Sequence, residues 1–330
     1  MEAPVIMRLM ASSVSVASKA GVIIRKVLAS GKLGVVDKGV NDLQTQADRS
    51  AQHCIVSSLS KHFPGLCIIG EEDLDDGDQP FSEVVEELDS DVLSKKCPAE
   101  LESAALDDIV VWVDPLDGTS EFAQGFLEHV TVLIGVAVKG RAVGGVVCQP
   151  FYMPGYRAVT ESQYDRRPQV EETQLRLIWG LEGLGIFGTS SKPLSQGPVF
   201  EGDIGSNANL IVSTRSHSKP MVTAAIEACN PTKVYKAGGC GFKMLLLIEG
   251  TAHGYIYANT GCKRWDTCAP EALINCIGGR VTGIDGKAYS YNRDVCPVNT
   301  LGVVATPVSA WHSAYLKRIP TSLVNTLSSQ

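Results

Sequence analysis

Two aspartates three residues apart, Asp114 and Asp117, follow the apolar run Ile109-Val110-Val111-Trp112-Val113, with Pro115 between them and Gly118-Thr119 behind. The run is short and β-branched, which marks a buried strand. Pro115 has no N–H to continue a ladder, so the chain is expected to turn there and bring both carboxylates to the strand end. Two anions so placed repel unless a positive charge sits between them, and a divalent cation meets that need. Gly118 and Thr119 are expected to open a short helix over 120–124, whose free N–H groups suit a phosphate. Taken alone, Asp-x-x-Asp reads equally well as a turn with two solvated aspartates. Other carboxylates change that balance. Glu71-Glu72 follows a second strand at 66–70, and Asp266 starts a helix after Gly261-Cys262-Lys263-Arg264-Trp265. Singly, Glu71-Glu72 suits a solvated loop and Asp266 an N-cap. Together the three groups suit one shared site of hard oxygen donors with no accompanying His or Cys, a set that selects magnesium, manganese or calcium over zinc. The Leu116 carbonyl could add an oxygen.

These residues must be positioned by the elements around them. Apolar residues at three- and four-residue intervals from Ile6 to Leu28 describe a long amphipathic helix ending near Gly31. A second helix is expected over 45–62, where Thr45 and Asp48 resemble a capping box, the plainest role for Asp48. The acidic stretch 74–108 reads as a surface excursion with a helix around 82–93. Strands at 130–138 and 141–149 form a hairpin at Lys139-Gly140, and 150–155 reads as a domain junction. Beyond it come strands at 156–160 and 176–179, a Gly/Ser/Pro-rich loop to about 209, a strand at 210–214 and a helix at 220–229. A glycine-rich turn at 238–241 precedes a helix through 249 and a strand at 253–258. A helix at 266–277, strands at 280–282 and 301–305 and one terminal helix complete the chain. Without strict βαβ alternation, the expected fold is layered, mixed α+β and α/β with mixed sheets. The expected domains are 1–155, with most of the carboxylates, and 156–330, with Asp266.

Composition excludes other functions. A net charge of −7 over 330 residues, with no basic cluster, argues against a nucleic-acid-coating surface. Val130–Val138 is far too short to span a bilayer, which needs about 20 residues, and the charges at Glu2, Arg8, Lys19, Arg25 and Lys26 argue against a signal peptide. Ten cysteines with no Cys-x-x-Cys pair read as reduced thiols. A soluble, cytoplasmic protein is expected.

Asp114-Pro115-Leu116-Asp117-Gly118-Thr119, Gly70-Glu71-Glu72 and Trp265-Asp266-Thr267-Cys268-Ala269 together resemble the lithium-sensitive, magnesium-dependent phosphatase superfamily of inositol monophosphatase. The resemblance covers nearly the whole chain. Residues 42–49, 68–74, Thr214-Arg215-Ser216-His217-Ser218 and 261–271 place it nearest the branch that acts on 3′(2′),5′-bisphosphorylated adenosine. The resemblance implies a layered αβαβα sandwich and a monomer acting on a small phosphorylated nucleotide. The implied reaction removes the 3′- or 2′-phosphate to leave AMP; the sulfated analogue and inositol 1,4-bisphosphate are related substrates. It further implies two or three magnesium ions, with lithium inhibitory, held by Glu71, Asp114, the Leu116 carbonyl, Asp117 and Asp266. Asp48 and Thr119 match the pair that activates the attacking water, and Gly118, Thr214, His217, Gly239 and Lys243 match substrate contacts. Without the resemblance, Lys243 reads as a surface lysine at a helix start, His217 as a polar loop residue and Gly239 as a turn. An inositol phosphate phosphatase of the same superfamily and a catalytically silent phosphonucleotide sensor are the alternatives. Residues 75–105 and 161–175 match the family poorly, and Cys240 and Phe242 lie between expected substrate contacts.

Overall fold

A computed structural model describes residues 2–39, 42–73, 83–154, 169–200, 208–216 and 219–329. The first helix, α1 (Val5–Ser30), ends where Gly31 takes a left-handed φ of 68° and donates its N–H to the Leu28 carbonyl. It is long and apolar enough to cross a bilayer, which the sequence reading did not anticipate, but its apolar face is buried in the protein core. A hairpin of β1 (Val36–Gly39) and β2 (Asp42–Gln44) leads into α2 (Gln46–His62). The expected capping box starts α2: Thr45 Oγ1 accepts the Ala47 N–H (3.1 Å) and Asp48 accepts the Thr45 N–H (2.8 Å).

After β3 (Cys67–Gly70), the described part of the acidic excursion forms α3 (Ser90–Leu93), shorter than the helix expected around 82–93, and two short 3-10 turns at Ala99–Leu101 and Leu106–Asp108. Upstream N–H groups are already engaged by other elements, Val85 with Ser58 Oγ (2.9 Å) and Asp89 with the Ala11 carbonyl (3.2 Å). Helix therefore starts only where Asp89 can cap it by accepting the Val92 N–H.

Next come β4 (Ile109–Asp117), α4 (Thr119–Gln124), β5 (Thr131–Val138), β6 (Arg141–Tyr152), β7 (Gln174–Leu181) and β8 (Gly185–Phe187). They build a six-stranded sheet in the order β3-β4-β5-β6-β7-β8, with β3 and β4 parallel and the other pairs antiparallel. Positive φ at Lys139 and Gly140, 51° and 76°, gives the expected tight hairpin. The junction expected at 150–155 is corrected. β6 runs through Pro150, which falls at a bulge between Gln149 and Tyr152 where its missing donor is tolerated, and β7 and β8 from the second half complete the same sheet. The strand expected at 156–160 lies outside the described residues.

The remainder is β9 (Leu210–Thr214), α5 (Pro220–Ala228), β10 (Lys233–Ala237), α6 (Cys240–Ile248), β11 (Gly254–Tyr257), β12 (Cys262–Lys263), α7 (Arg264–Cys276), β13 (Arg280–Thr282), β14 (Val298–Asn299) and β15 (Val303–Thr306). Pro320 splits the expected terminal helix into α8 (Ser309–Leu316) and α9 (Thr321–Ser328). A second mixed sheet has the order β10-β9-β11-β15-β13.

The layers follow from which faces are apolar. Val111 and Val113 of β4 join the core under α1 and α2, while Val110 and Trp112 face α7 on the other side. Helices α6 and α7 lie between the two sheets, and α5 and α8 cover the outer face of the second. This is the expected αβαβα sandwich. The α7 backbone reaches the first sheet because glycines let it. A Cβ on Gly145 would stand 2.3 Å from the Ala269 carbonyl oxygen. Gly145→Ala is therefore expected to push α7 off the sheet and destabilise the protein by about 1–3 kcal/mol, visible as a lower urea midpoint; an unchanged midpoint would contradict this packing.

Candidate active site

Strand pairing brings the acidic groups together. In the parallel β3–β4 register Gly70 lies beside Val113, and the Glu71 N–H donates to the Val113 carbonyl (3.1 Å). Glu71 and Asp114 therefore leave neighbouring strands side by side, close enough for the charge of Glu71 to act on Asp114. The adjacent Glu72 points elsewhere. It is buried against Lys38 Nζ, which donates to both of its oxygens (2.8 and 2.9 Å).

The turn expected at Pro115 is a bulge. Asp114 pairs with Leu133 and Asp117 with Thr131, so three steps on β4 match two on β5 and the strand continues to Asp117. A bulge accommodates a proline without ending the strand. It also puts Asp117 under the start of α6, where the Cys240 and Gly241 N–H groups (2.9 and 2.7 Å) and Thr131 Oγ1 (2.9 Å) donate to its carboxylate. Asp266 is the third residue of α7, not its cap; its Oδ2 accepts the Lys263 N–H (2.8 Å). Asp48 occupies both of its expected places at once. One oxygen closes the capping box with Thr45, and the other accepts from Thr119 Oγ1 (3.0 Å). The same Thr119 hydroxyl lies 3.0 Å from the Leu116 carbonyl oxygen.

Electrostatics show what such a cluster costs. Burial, then the charge of Glu71, holds the Asp114 carboxyl well above its ordinary range. Burial and then Asp266 do the same to Glu71. Burial, then Asp117, raises Asp266 to about 6, and burial raises Asp48 to about 6 against the hydrogen bond from Thr45. Asp117 is raised by burial, while Lys243 and the α6 N–H groups pull it back. Among the described residues no three His, Cys, Asp or Glu side chains already close on one point as a finished metal cage. The donor set nonetheless fits a hard divalent cation: all its donors are oxygen, and burial and mutual repulsion raise every one of its carboxyls, a strain that a bound cation would relieve.

A cleft opens between the two sheets, lined by Glu71, Asp117, Gly118, Thr119 and Asp266, with Lys243 of α6 on the wall that holds Asp117. Thr214, at the end of β9, and Gly239 share that wall. His217 lies outside the described residues. Lys243 is not the surface lysine of the plainer reading. It is buried, its Nζ donates to the Gly239 carbonyl (2.6 Å), and it lies 5.3 Å from the Tyr255 ring centre. His129, unnoticed in the sequence, fixes this turn. Burial pushes its imidazole down to about 3, so it stays neutral and Nδ1 accepts the Gly238 N–H (3.2 Å). Glu121, Ser216 and Tyr257 also line the cleft and were not named as site residues; Glu121 lies two residues from Thr119 and Ser216 within the matching stretch 214–218, whereas nothing in the sequence flags Tyr257.

A raised carboxyl contributes stability that is full below its unfolded pKa of about 4 and is lost as pH rises through its folded value, about 6 for Asp266. Buried neutral histidines such as His129 act in the opposite sense, so the site is best isolated by difference. An ion must displace the protons held there. The rise in Tm on adding magnesium to chelator-treated protein is therefore expected to be small near pH 4.5 and to grow as pH passes through about 6. At one hundred times the dissociation constant it reaches about 2.7 kcal/mol of stabilisation. A thermal-shift gain independent of pH would contradict the carboxylate site.

Comparison with known proteins places the chain in a family. A model of the inositol monophosphatase family matches residues 7–323. The chain is 44% identical over 329 residues to human 3′(2′),5′-bisphosphate nucleotidase 1, covering 98% of this chain and 97% of that protein. It is 32% identical over 306 residues to the Dictyostelium discoideum protein of the same name, covering 91% and 93%. The crystal structure of extragenic suppressor protein suhB from Bartonella henselae superposes with a TM-score of 0.63 at 19% identity, covering 94% of this chain and 98% of that one, which shows a shared fold. The chain belongs to the inositol monophosphatase family and is an enzyme of the phosphatase class.

Proposed function

We propose that this member of the inositol monophosphatase family is a magnesium-dependent nucleotidase that hydrolyses the 3′- or 2′-phosphate of adenosine 3′(2′),5′-bisphosphate to AMP and phosphate. The observation that carries the reading is the convergence of Glu71, Asp114, Asp117 and Asp266 beside the Asp48–Thr119 pair, in a chain 44% identical to a bisphosphate nucleotidase. The sulfated analogue and inositol 1,4-bisphosphate are further substrates in this proposal.

Magnesium would be held by Glu71, Asp114, the Leu116 carbonyl, Asp117 and Asp266, and when bound it lowers the pKa of a coordinated water and offsets phosphate charge. The chain's own residues handle the proton. Thr119 Oγ1 donates to Asp48, so its free lone pair can accept from a water, and Asp48 can take the proton passed through the hydroxyl. The capping box fixes the Asp48 carboxylate for this work, and the α6 N–H groups fix Asp117. Lys243, beside Asp117 in the cleft wall, would supply positive charge for the second phosphate. Ten unpaired cysteines, most of them buried, suit a reducing compartment such as the cytosol.

The test is phosphate release by the purified protein with magnesium, from adenosine 3′,5′-bisphosphate, its 2′,5′ isomer, the sulfated analogue and inositol 1,4-bisphosphate, with and without lithium. Release from the first, inhibited by lithium, supports the proposal; release from the inositol compound alone would replace it. Lys243→Met is expected to raise KM for the bisphosphate by about 10- to 100-fold, the worth of one charge-assisted hydrogen bond, with a smaller fall in kcat. An unchanged KM in steady-state kinetics would remove Lys243 from the binding set.

A further inference from the structure

The cleft holds a carboxylate that this hydrolytic scheme leaves without a task. Glu121 lies in the first turn of α4 and lines the cavity although its side chain is only 4% exposed. Its Oε1 accepts a hydrogen bond from Ser216 Oγ (3.3 Å) and stands 3.7 Å from Arg215 Nη1. Arg215 is itself held 3.6 Å over the Phe126 ring centre. Both of these neighbours engage Oε1 rather than Oε2.

Two glycines make room for this side chain. A Cβ on Gly238 would fall 2.5 Å from Oε1, and one on Gly118 would fall 3.8 Å from Oε2. The carboxylate is thereby wedged between the bulge that carries Asp117 and the turn that leads into α6. That is the wall beside a phosphoester held at Asp117. A carboxylate accepts hydrogen bonds and repels phosphate, so the group it binds there is an O–H or N–H donor. On a ribose bisphosphate, the donor next to the scissile ester is the free vicinal hydroxyl. Arg215 balances part of the charge, so the carboxylate can sit close to an anionic substrate.

Resting on the nucleotidase reading above, we infer that Glu121 is a specificity residue whose Oε2 accepts a hydrogen bond from the hydroxyl vicinal to the scissile phosphoester, selecting ribose over deoxyribose substrates. A buried acceptor left unpaired by a deoxy substrate is costly, which is how such a site discriminates.

The test crosses two substrates with three proteins. Adenosine 3′,5′-bisphosphate and its 2′-deoxy analogue are compared by kcat/KM in wild type, Glu121→Met, which keeps the bulk without an acceptor, and Glu121→Gln, which keeps an acceptor oxygen. Wild type is expected to prefer the ribose compound by about 10- to 100-fold. The preference should fall towards one in Glu121→Met and stay intermediate in Glu121→Gln. A general loss of packing would lower both substrates equally and leave the ratio intact. An unchanged ratio in Glu121→Met, or no preference in wild type, overturns the assignment. Calorimetric binding of AMP and 2′-deoxy-AMP to the same three proteins reads the same ratio without turnover. Absence of hydrolysis would therefore sink the nucleotidase reading, while the binding ratio still decides the role of Glu121. Should Glu121→Met fail to fold by circular dichroism, Glu121→Gln carries the test by its reduced ratio.

Discussion

Asp114→Asn is expected to leave a folded protein with phosphate release lowered by about 10³-fold or more. Asp114 is buried, follows directly from the β4 core and stands beside Glu71. Asparagine matches its shape and can still accept the Leu116 N–H that now reaches Oδ1 at 3.0 Å, so the bulge should survive. What is lost is one negative charge from the carboxylates that would hold the cation. Lewis-acid stabilisation by a bound ion is worth several kcal/mol, and each 1.36 kcal/mol is a tenfold change in rate. Removing a like charge from a repelling cluster should leave the metal-free Tm unchanged or higher, while the magnesium-induced gain in Tm shrinks. Loss of activity with a lower metal-free Tm would instead mean that Asp114 serves the fold. Full activity would remove it from the metal set.

Asp48→Asn is the second large effect, a fall in kcat of about 10²–10⁴-fold, the usual worth of a positioned base. The capping box complicates its reading, because Asp48 also accepts the Thr45 N–H at the start of α2, and losing a cap costs about 1 kcal/mol. Asparagine can keep that cap through its carbonyl oxygen, so stability should change little. Thr119→Val separates the roles more cleanly. It removes the hydroxyl that joins Asp48 to the cleft while leaving the cap untouched. Thr119→Ser is expected to restore most of the rate. If Thr119→Val kept wild-type kcat in single-turnover measurements, proton transfer through this pair would be refuted.

What could be read locally was read well. The apolar run before Asp114, the Thr45–Asp48 capping box and the Lys139-Gly140 hairpin each depend on a few consecutive residues, and each appears in the structure. Helix α1 and its glycine stop follow from a 3.6-residue periodicity in the same way. The αβαβα layering came with the family resemblance and matches the packing of helices α6 and α7 between the two sheets.

The sequence by itself determined which residues carry negative charge and which segments they terminate. Only the tertiary structure decided how those charges meet. The β3–β4 register sets Glu71 beside Asp114 and sends Glu72 to Lys38, although the two glutamates are adjacent and alike in sequence. The bulge on β4 carries Asp117 to the α6 backbone, where a local reading of Pro115 predicted a turn. β7 and β8 return to the first sheet from beyond the expected boundary, and Glu121 gains its place in the cleft with the help of Gly238, more than a hundred positions away. Hydrogen-bonding preferences and apolar periodicity act over a few residues and are written along the chain. Strand register and the close approach of layers are settled by the simultaneous packing of residues more than a hundred positions apart, and no short segment contains that information.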